Sequence, residues 1–463
     1  MKILIYFLII VLWSINMEAK VKLPPLLSDN MVLQQKSNVR IWGKATPNST
    51  VVVTPSWANK EVKTHADEKG CWELQITTPA ASFEEYTLTL TDGEQSVTLQ
   101  HLLIGEVWLC AGQSNMVMPL NGFDYCPISD SNNVIADAPN HPGIRMVTIK
   151  PTVKLSPQEY AEGSWQQPTT ENAPKFSAAA YHYALTLQRT LQIPIGVITC
   201  AWGGSRVEGW LPKEILQTYK DEDLTLIGSD KTPVYLQSML MYNGILYPCH
   251  KYTIKGFIWY QGESNVRSSR TYAERLATMV KHWRSIWKQG DLPFYYVQLS
   301  SIDRPSWTWF RDSQRRLAQT VSNTGMAVSS DRGDSLNVHP TRKKEIGERL
   351  AHWALNKTYG HNVIPSGPLF RSATFTDNAA YITFDYAKGL RTSDGDPIRT
   401  FEIAEQEGLY YPAQAVVENG KVKVWNDQVT HPKLVRYGWQ PFTRANLINE
   451  AGMPASTFRA IKE

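Results

Sequence analysis

GEVWLCAGQSNMVM, residues 105–118, joins two kinds of sequence: an apolar run reaches Gly112, and Ser114 then appears between Gln113 and Asn115. A brief apolar run bounded by turn residues reads as a strand buried on both faces. Ser114 therefore falls on the loop at the strand's carboxyl end, where an open parallel sheet presents its functional groups. GQSNM lacks the second glycine of G-x-S-x-G, so the turn is not the ordinary nucleophile elbow. Taken alone, such a serine serves a tight turn as readily as it serves chemistry.

The sequence downstream repeats this pattern. From Gly105 to about residue 360, short apolar runs (IGVITC, IKGFIWY, FYYVQL, GMAVSS) alternate with amphipathic segments such as FSAAAYHYALTLQRTL, TYAERLATMVKHWRSIW and KKEIGERLAHWAL. Strands alternating with helices of this length predict a mostly parallel sheet covered on both faces, an α/β fold. Upstream, residues 21–101 alternate apolar and polar positions in short runs broken by Pro, Asn and Gly, which predicts a small antiparallel β-sandwich. From about Ser366 strand patterns return, and AVVENGKVKVW places Asn419-Gly420 where a two-residue type I′ hairpin turn needs them. The expected organisation is residues 1–19 as a signal peptide, 20–103 as a β-sandwich-like domain, 104–363 as the α/β core and 364–463 as a β-rich region.

Three more strand ends carry candidate chemistry. TCAWGGSRVEGW, residues 199–210, offers Gly203 and Gly204, whose backbone N–H groups can approach a ligand closely. FIWYQGESN, residues 257–265, delivers Gln261, Glu263 and Asn265, and SSDRGDSLNVHP, residues 329–340, delivers Asp331, Asp334 and His339 ahead of a helix. Each has a plain alternative as a turn, a loop closure or a helix start. A serine, paired glycines, an amide and a histidine, in that order at four of the strand ends, nevertheless match the parts of nucleophilic acyl transfer: nucleophile, base and oxyanion donors.

GQSN, WGG, WYQGESN and HP followed by a helix resemble the SGNH (GDSL-like) hydrolases, specifically the sialate O-acetylesterase group of carbohydrate esterases. LPPLLSDNMVLQQ near the start and VRYGWQPFTRANLINEAGMPASTFR near the end are also similar to that group. The resemblance implies a flavodoxin-like three-layer α/β/α core with flanking β-rich regions, no metal or other cofactor, and removal of acetyl groups from sugar hydroxyls. It assigns Ser114 as nucleophile, His339 as base, and the N–H groups of Ser114 and Gly204 with the Gln261 amide as the oxyanion hole; Gly203 is the alternative to Gly204. Many members place an Asp three residues before the His, where this chain has Leu336, and related sequences read DIHP where this chain has Asn337. The group orienting His339 is then Asp334, the nearer in sequence, or Asp331, or a backbone carbonyl in a Ser-His dyad. For the sugar, Trp202, Trp210 or Tyr260 offer stacking surfaces. Arg206 or Arg267 offer bidentate partners for a sialic acid carboxylate, although any of these arginines also reads as an ordinary surface residue.

Composition bounds the remainder. With 463 residues, 42% of them hydrophobic, the chain can bury a large core, and 47 basic against 43 acidic residues, with no long basic run, argue against a nucleic-acid partner. Lys2 followed by the apolar segment Ile3–Trp13 and ending near Ala19 has the form of a secretory signal, and 11 apolar residues are too few to span a bilayer. The mature chain is expected to be exported, periplasmic or extracellular, without a membrane span. Five cysteines do not make a disulfide scaffold, although Cys110–Cys200 and Cys126–Cys249 are conceivable pairs, and neither CxxC pairs nor HExxH supports a zinc site. The function expected is hydrolysis of sugar acetyl esters, first of O-acetylated sialic acids. Acetylated xylan or pectin is the alternative substrate, and a non-catalytic carbohydrate-binding protein the rival from another class.

Overall fold

The computed structural model describes residues 21–58 and 60–462, so the signal peptide expected at residues 1–19 lies outside the described residues. Seven strands come first: β1 (Val32–Gln34), β2 (Asn38–Lys44), β3 (Thr50–Pro55), β4 (Val62–His65), β5 (Cys71–Thr77), β6 (Ser82–Thr91) and β7 (Ser96–Gly112). Five follow in the α/β region: β8 (Ile144–Thr148), β9 (Ile195–Ala201), β10 (Gly256–Tyr260), β11 (Phe294–Gln298) and β12 (Thr324–Val328). The helices are α1 (Ser114–Val117), α2 (Ser131–Asp137), α3 (Ala178–Leu191), α4 (Lys213–Leu216), α5 (Ser269–Trp287), α6 (Trp307–Leu317) and α7 (Lys343–Trp353).

The central sheet runs β8-β9-β7-β10-β11-β12, every neighbour parallel. Without the edge strand β8, this is the flavodoxin-like order 2-1-3-4-5, in which the strand order reverses between β7 and β10. Helix α3 packs with α7 and α5 with α6, forming the two helical layers of an α/β/α core. The covering explains the sequence: β9, β10 and β11 are buried at every position, which is why they read as unbroken apolar runs. By contrast, β5 alternates buried and exposed residues as a strand with one wet face should.

β7 belongs to two sheets at once. Its first half pairs antiparallel with β6 and parallel with the short β1, while Glu106–Gly112 pair with β9 and Trp108–Gly112 with β10. The division expected at 103/104 thus falls within a continuous strand. Val39, Ile41, Val53 and Leu88 of the N-terminal strands share one hydrophobic cluster with Trp108, Trp259 and Phe294 of the α/β region. At the junction the buried Glu106 carboxylate accepts from Gln34 Nε2 (3.1 Å), Gln35 Nε2 (2.6 Å) and the Tyr359 hydroxyl (3.0 Å). A carboxylate so deep in a strand is tolerable because each of its oxygens has a donor.

Residues beyond 366 build a second core around Ile382, Phe401, Val422, Tyr437 and Phe458, between two antiparallel sheets. The Asn419-Gly420 turn has positive φ at both residues, 52° and 73°, as a type I′ hairpin requires. This region is fastened to the α/β core by Arg311 of α6, a fully buried side chain. Its guanidinium donates to the carbonyls of Gly438 (2.9 Å), Gln440 (2.6 Å) and Pro441 (3.0 Å). Burial pushes its pKa down to about 9. All five cysteines are free; Cys110 does not meet Cys200, nor Cys126 Cys249, and Cys200 instead lies with its sulfur 3.8 Å from that of Cys249.

The end of β7 sets a local constraint that can be tested. Gly112 has φ +148°, and a Cβ there would lie 2.1 Å from the Tyr260 carbonyl oxygen of β10. Gly93 has φ +93° and open space around it. Gly112→Ala is expected to lower unfolding free energy by about 3 kcal/mol, with Gly93→Ala costing only about 1–2 kcal/mol, both read by urea denaturation.

Candidate active site

The strand order reverses between β7 and β10, and Ser114 and Gln261 emerge from the carboxyl ends of those two strands. Their loops are stitched together through backbone and amide groups. The Gln113 N–H donates to the Tyr260 carbonyl (3.0 Å), Gln113 Oε1 accepts the Gly262 N–H (3.1 Å), and the Trp202 N–H donates to the Gly112 carbonyl (3.0 Å). The Ser264 hydroxyl closes the third side by donating to the Gly204 carbonyl (2.7 Å). These contacts hold Ser114 at the first position of α1, directly past the sheet.

Ser114 and His339, 225 residues apart in sequence, meet here: Ser114 Oγ lies 2.9 Å from His339 Nε2. This is the distance and pairing of a hydroxyl nucleophile and its base. The imidazole is wedged edge-on against the Phe123 ring, centroids 5.2 Å apart. Burial first, and the positive charges of Lys343 and Arg304 second, press its pKa down to about 4. The ring is accordingly neutral at ordinary pH and free to accept the serine proton.

Behind Ser114, the backbone of Gly203 passes so close that a Cβ on it would lie 3.8 Å from Ser114 Cβ. Gly204 has φ +76°, and a side chain there would strike the Tyr235 ring at 2.6 Å. The N–H groups of Ser114, Gly203 and Gly204 have no acceptor among the described residues. Gln261 is arranged otherwise than the sequence suggests. Its amide is fully buried and donates to the Ser205 carbonyl (3.0 Å) and to Asn265 Oδ1 (2.8 Å), while its oxygen accepts from Tyr272. Both of its hydrogens are therefore engaged, and it braces the WGGS loop instead of facing Ser114.

The orienting carboxylate requires a second correction. Asp334 does not reach His339: its exposed side chain accepts the N–H groups of Leu336 (2.7 Å) and Asn337 (2.9 Å), a local turn that holds its carboxyl below the usual pKa. Asp331 is engaged by the Arg349 guanidinium through two contacts of 2.6 and 2.7 Å. Asn337, in place of the Asp of DIHP, accepts the His339 backbone N–H (2.9 Å) and leaves the ring alone. Among the described residues only the Tyr125 hydroxyl faces His339 Nδ1, at 3.4 Å, on a side chain that is 71% exposed.

The expected sugar contacts divide in the same way. Arg206 is not free to bind a carboxylate, because its guanidinium is taken by Glu222 (2.6 and 3.2 Å), the Leu236 carbonyl (2.9 Å) and Ser238 (3.1 Å). Trp210 and Tyr260 are fully buried. Trp202 remains partly exposed beside Gly112, and Arg267 is exposed on the loop after β10.

Sequence reasoning missed the group that ties the loops together. Asn115 Nδ2 donates to Glu263 and to the Val338 carbonyl (3.1 Å), while its Oδ1 accepts from the Lys343 ammonium. Lys343 is fully buried, 5.3 Å from the Tyr260 ring centroid. Burial depresses its pKa to about 7 against the attraction of Glu263, whose own pKa burial raises. Asn115 and Glu263 were visible as members of GQSN and GESN. Lys343 gave no signal beyond its place near the start of α7.

The family model described as carbohydrate esterase, sialic acid-specific acetylesterase, matches residues 104–356. The human sialate O-acetylesterase is 27% identical over 420 residues, covering 82% of this chain and 79% of the human protein. The mouse sialate O-acetylesterase is 26% identical over 444 residues, covering 82% and 81%. Among solved structures, a carbohydrate acetylesterase from Xanthomonas citri superposes with a TM-score of 0.87 at 32% identity, covering 95% of this chain and 99% of that one.

Two measurements follow from this geometry. Because the imidazole loses its neutral form only as pH falls towards 4, kcat/KM on p-nitrophenyl acetate is expected to hold its value through pH 6 and to decline with an acid limb centred near 4. An acid limb at the ordinary histidine value near 6.5 would contradict this burial and charge assignment. Lys343→Met strands the buried Glu263 carboxylate and is expected to destabilise the fold by about 3–5 kcal/mol in urea denaturation. Adding Glu263→Gln should recover part of that loss.

Proposed function

Because the chain belongs to the carbohydrate esterase family of sialic acid-specific acetylesterases, we propose that it hydrolyses acetyl esters on sugars, first of all O-acetylated sialic acids, with Ser114 and His339 as a catalytic dyad. The chain is an ester hydrolase of the SGNH type. The observation that carries the dyad is the 2.9 Å contact between Ser114 Oγ and His339 Nε2 beside N–H groups that lack an acceptor. The same contact argues against a protein that only binds carbohydrate. The sialate preference is supported by the family and by the sialate O-acetylesterases among the relatives.

In this mechanism Ser114 Oγ attacks the acetyl carbonyl carbon and its proton passes to His339 Nε2. The carbonyl oxygen becomes an oxyanion that accepts from the N–H groups of Ser114 and Gly204, donors already fixed in place. The tetrahedral adduct collapses, the bond between carbonyl carbon and sugar oxygen breaks, and His339 returns its proton to that oxygen. Water then attacks the acetyl-serine, gives a proton to His339, and acetate leaves as Ser114 recovers its hydrogen. Orientation of the imidazole comes from Phe123 and from the backbone hold of Asn337, with no carboxylate partner among the described residues. The apolar segment at residues 3–13 supports export of this enzyme to a periplasmic or extracellular location.

Purified residues 20–463 are expected to release acetate from O-acetylated sialic acid and p-nitrophenyl acetate, and Ser114→Ala to lower kcat by about 10⁴-fold or more. Asp334→Asn should keep kcat within about twofold, since it removes only a local turn bond. A large loss in Asp334→Asn would overturn the dyad in favour of a triad. Faster release from acetylated xylan than from the sialic acid ester would keep the mechanism and replace the substrate.

A further inference from the structure

Arg206 is engaged by Glu222, and apart from Arg267 one hollow on the catalytic side has free guanidinium groups for a charged sugar. It measures about 400 Å³ and is lined by Ser269, Arg270, Trp309 and Arg316. Helix α5 begins at Ser269, just past the β10 loop that carries Gln261 and Ser264, and α6 begins at Trp307, just past the β11 loop that carries Arg304. In a parallel sheet both helix starts lie on the side where Ser114 emerges. Arg316, seven residues after Trp309, shares its face of α6 about 10 Å further along the helix. The hollow therefore leads away from the dyad along the groove between α5 and α6.

Trp309 is 43% exposed, unusual for an indole, and it is rigidly held. Its ring meets Trp439 edge-on, centroids 5.1 Å apart, and the Arg459 guanidinium covers it at 5.1 Å. Arg459 is itself fixed by Tyr410 (3.2 Å) and Glu407. A fixed, exposed aromatic plane is a surface on which the apolar face of a pyranose can stack. No carboxylate lines the hollow. Arg270 has no ion-pair or hydrogen-bond partner among the described residues, and Arg316 has only Asp312, 3.6 Å from its Nε and already paired with Arg315 at 2.8 Å.

We infer that this hollow is a binding subsite for a carboxylate-bearing sugar residue, with Trp309 stacking on the ring and Arg270 and Arg316 receiving the carboxylate. The inference rests on the reading of the chain as a sugar acetylesterase and adds to it the place and the residues that would hold the acid group of an anionic sugar. Sialic acid and uronic acids share this chemistry, and the test separates them. A free guanidinium facing a carboxylate pairs through two parallel bonds, a geometry a neutral sugar cannot use.

Binding is measured by calorimetry on the Ser114→Ala protein with three deacetylated probes: sialyllactose, a galacturonic acid trimer and xylotriose. The expected result is that one or both anionic probes bind more tightly than xylotriose, and that adding Trp309→Ala or Arg270→Gln weakens their binding about tenfold. In the parent enzyme, Arg270→Gln should lower the ratio of kcat/KM on O-acetylated sialoside or acetylated pectin to that on p-nitrophenyl acetate by a similar factor. Equal affinity for all three probes, or anionic binding unaffected by both substitutions, overturns the subsite. Absence of acetate release from every sugar ester refutes the esterase reading by itself, because the calorimetry reads the subsite without turnover.

Discussion

One buried amide sets the geometry of the catalytic face. Asn115 follows Ser114 in the chain, reaches the carbonyl of Val338, which precedes His339, and mediates between Glu263 and Lys343. Ser114 and His339, contributed by opposite ends of the α/β region, are thus referenced to a single side chain. The arrangement is strong because it is buried: in a low-dielectric interior a carboxylate and an ammonium without partners are costly, so each group confines the others. The loops after β7, β10 and β12 cannot move independently without exposing a charge to apolar surroundings.

The same buried ammonium shapes the electrostatics of the dyad. In a triad the carboxylate stabilises the imidazolium formed during attack. Here Asp331 is paired with Arg349 and Asp334 is turned into its own loop, while Lys343 and Arg304 place positive charge near the ring. That field disfavours the imidazolium, and in the proposed mechanism it would favour an oxyanion beside it. The trade would suit an ester, whose alkoxide leaving group needs less help than an amine, and it keeps the His339 ring unprotonated over a wide acid range.

Much of the fold was legible because both faces of the central sheet are covered, which turns β9, β10 and β11 into unbroken apolar runs separated by amphipathic helices. The double role of β7 was not legible, since its first half alternates and its second does not, and the two halves read as two domains. The contact of Ser114 with His339 could be anticipated because each is a reactive residue on a loop that follows a central strand, β7 and β12. Gln261, Asp334 and Arg206 were misassigned because position in the chain does not say where a donor or acceptor is already engaged. Asp334 meets N–H groups two and three residues on, Arg206 a carboxylate sixteen residues on, and Gln261 a carbonyl fifty-six residues back. The Asn115 network spans 148 and 228 residues, separations at which a single sequence gives no pairing signal.

Arg311 has a consequence for how the protein is made. Its buried guanidinium is received by carbonyls of residues 438, 440 and 441, and the Pro441 carbonyl also accepts the Ile302 N–H in the loop that leads to Arg304 (3.1 Å). These acceptors follow α6, β12 and the loop that carries His339 in the chain, so they are synthesised after them. Until they arrive, α6 carries a cation with no place in an apolar interior. In a nascent chain α6 therefore waits for residues 438–441 before its cation is satisfied, and a chain cut short before residue 438 retains Ser114 and His339 but lacks the carbonyls that receive Arg311.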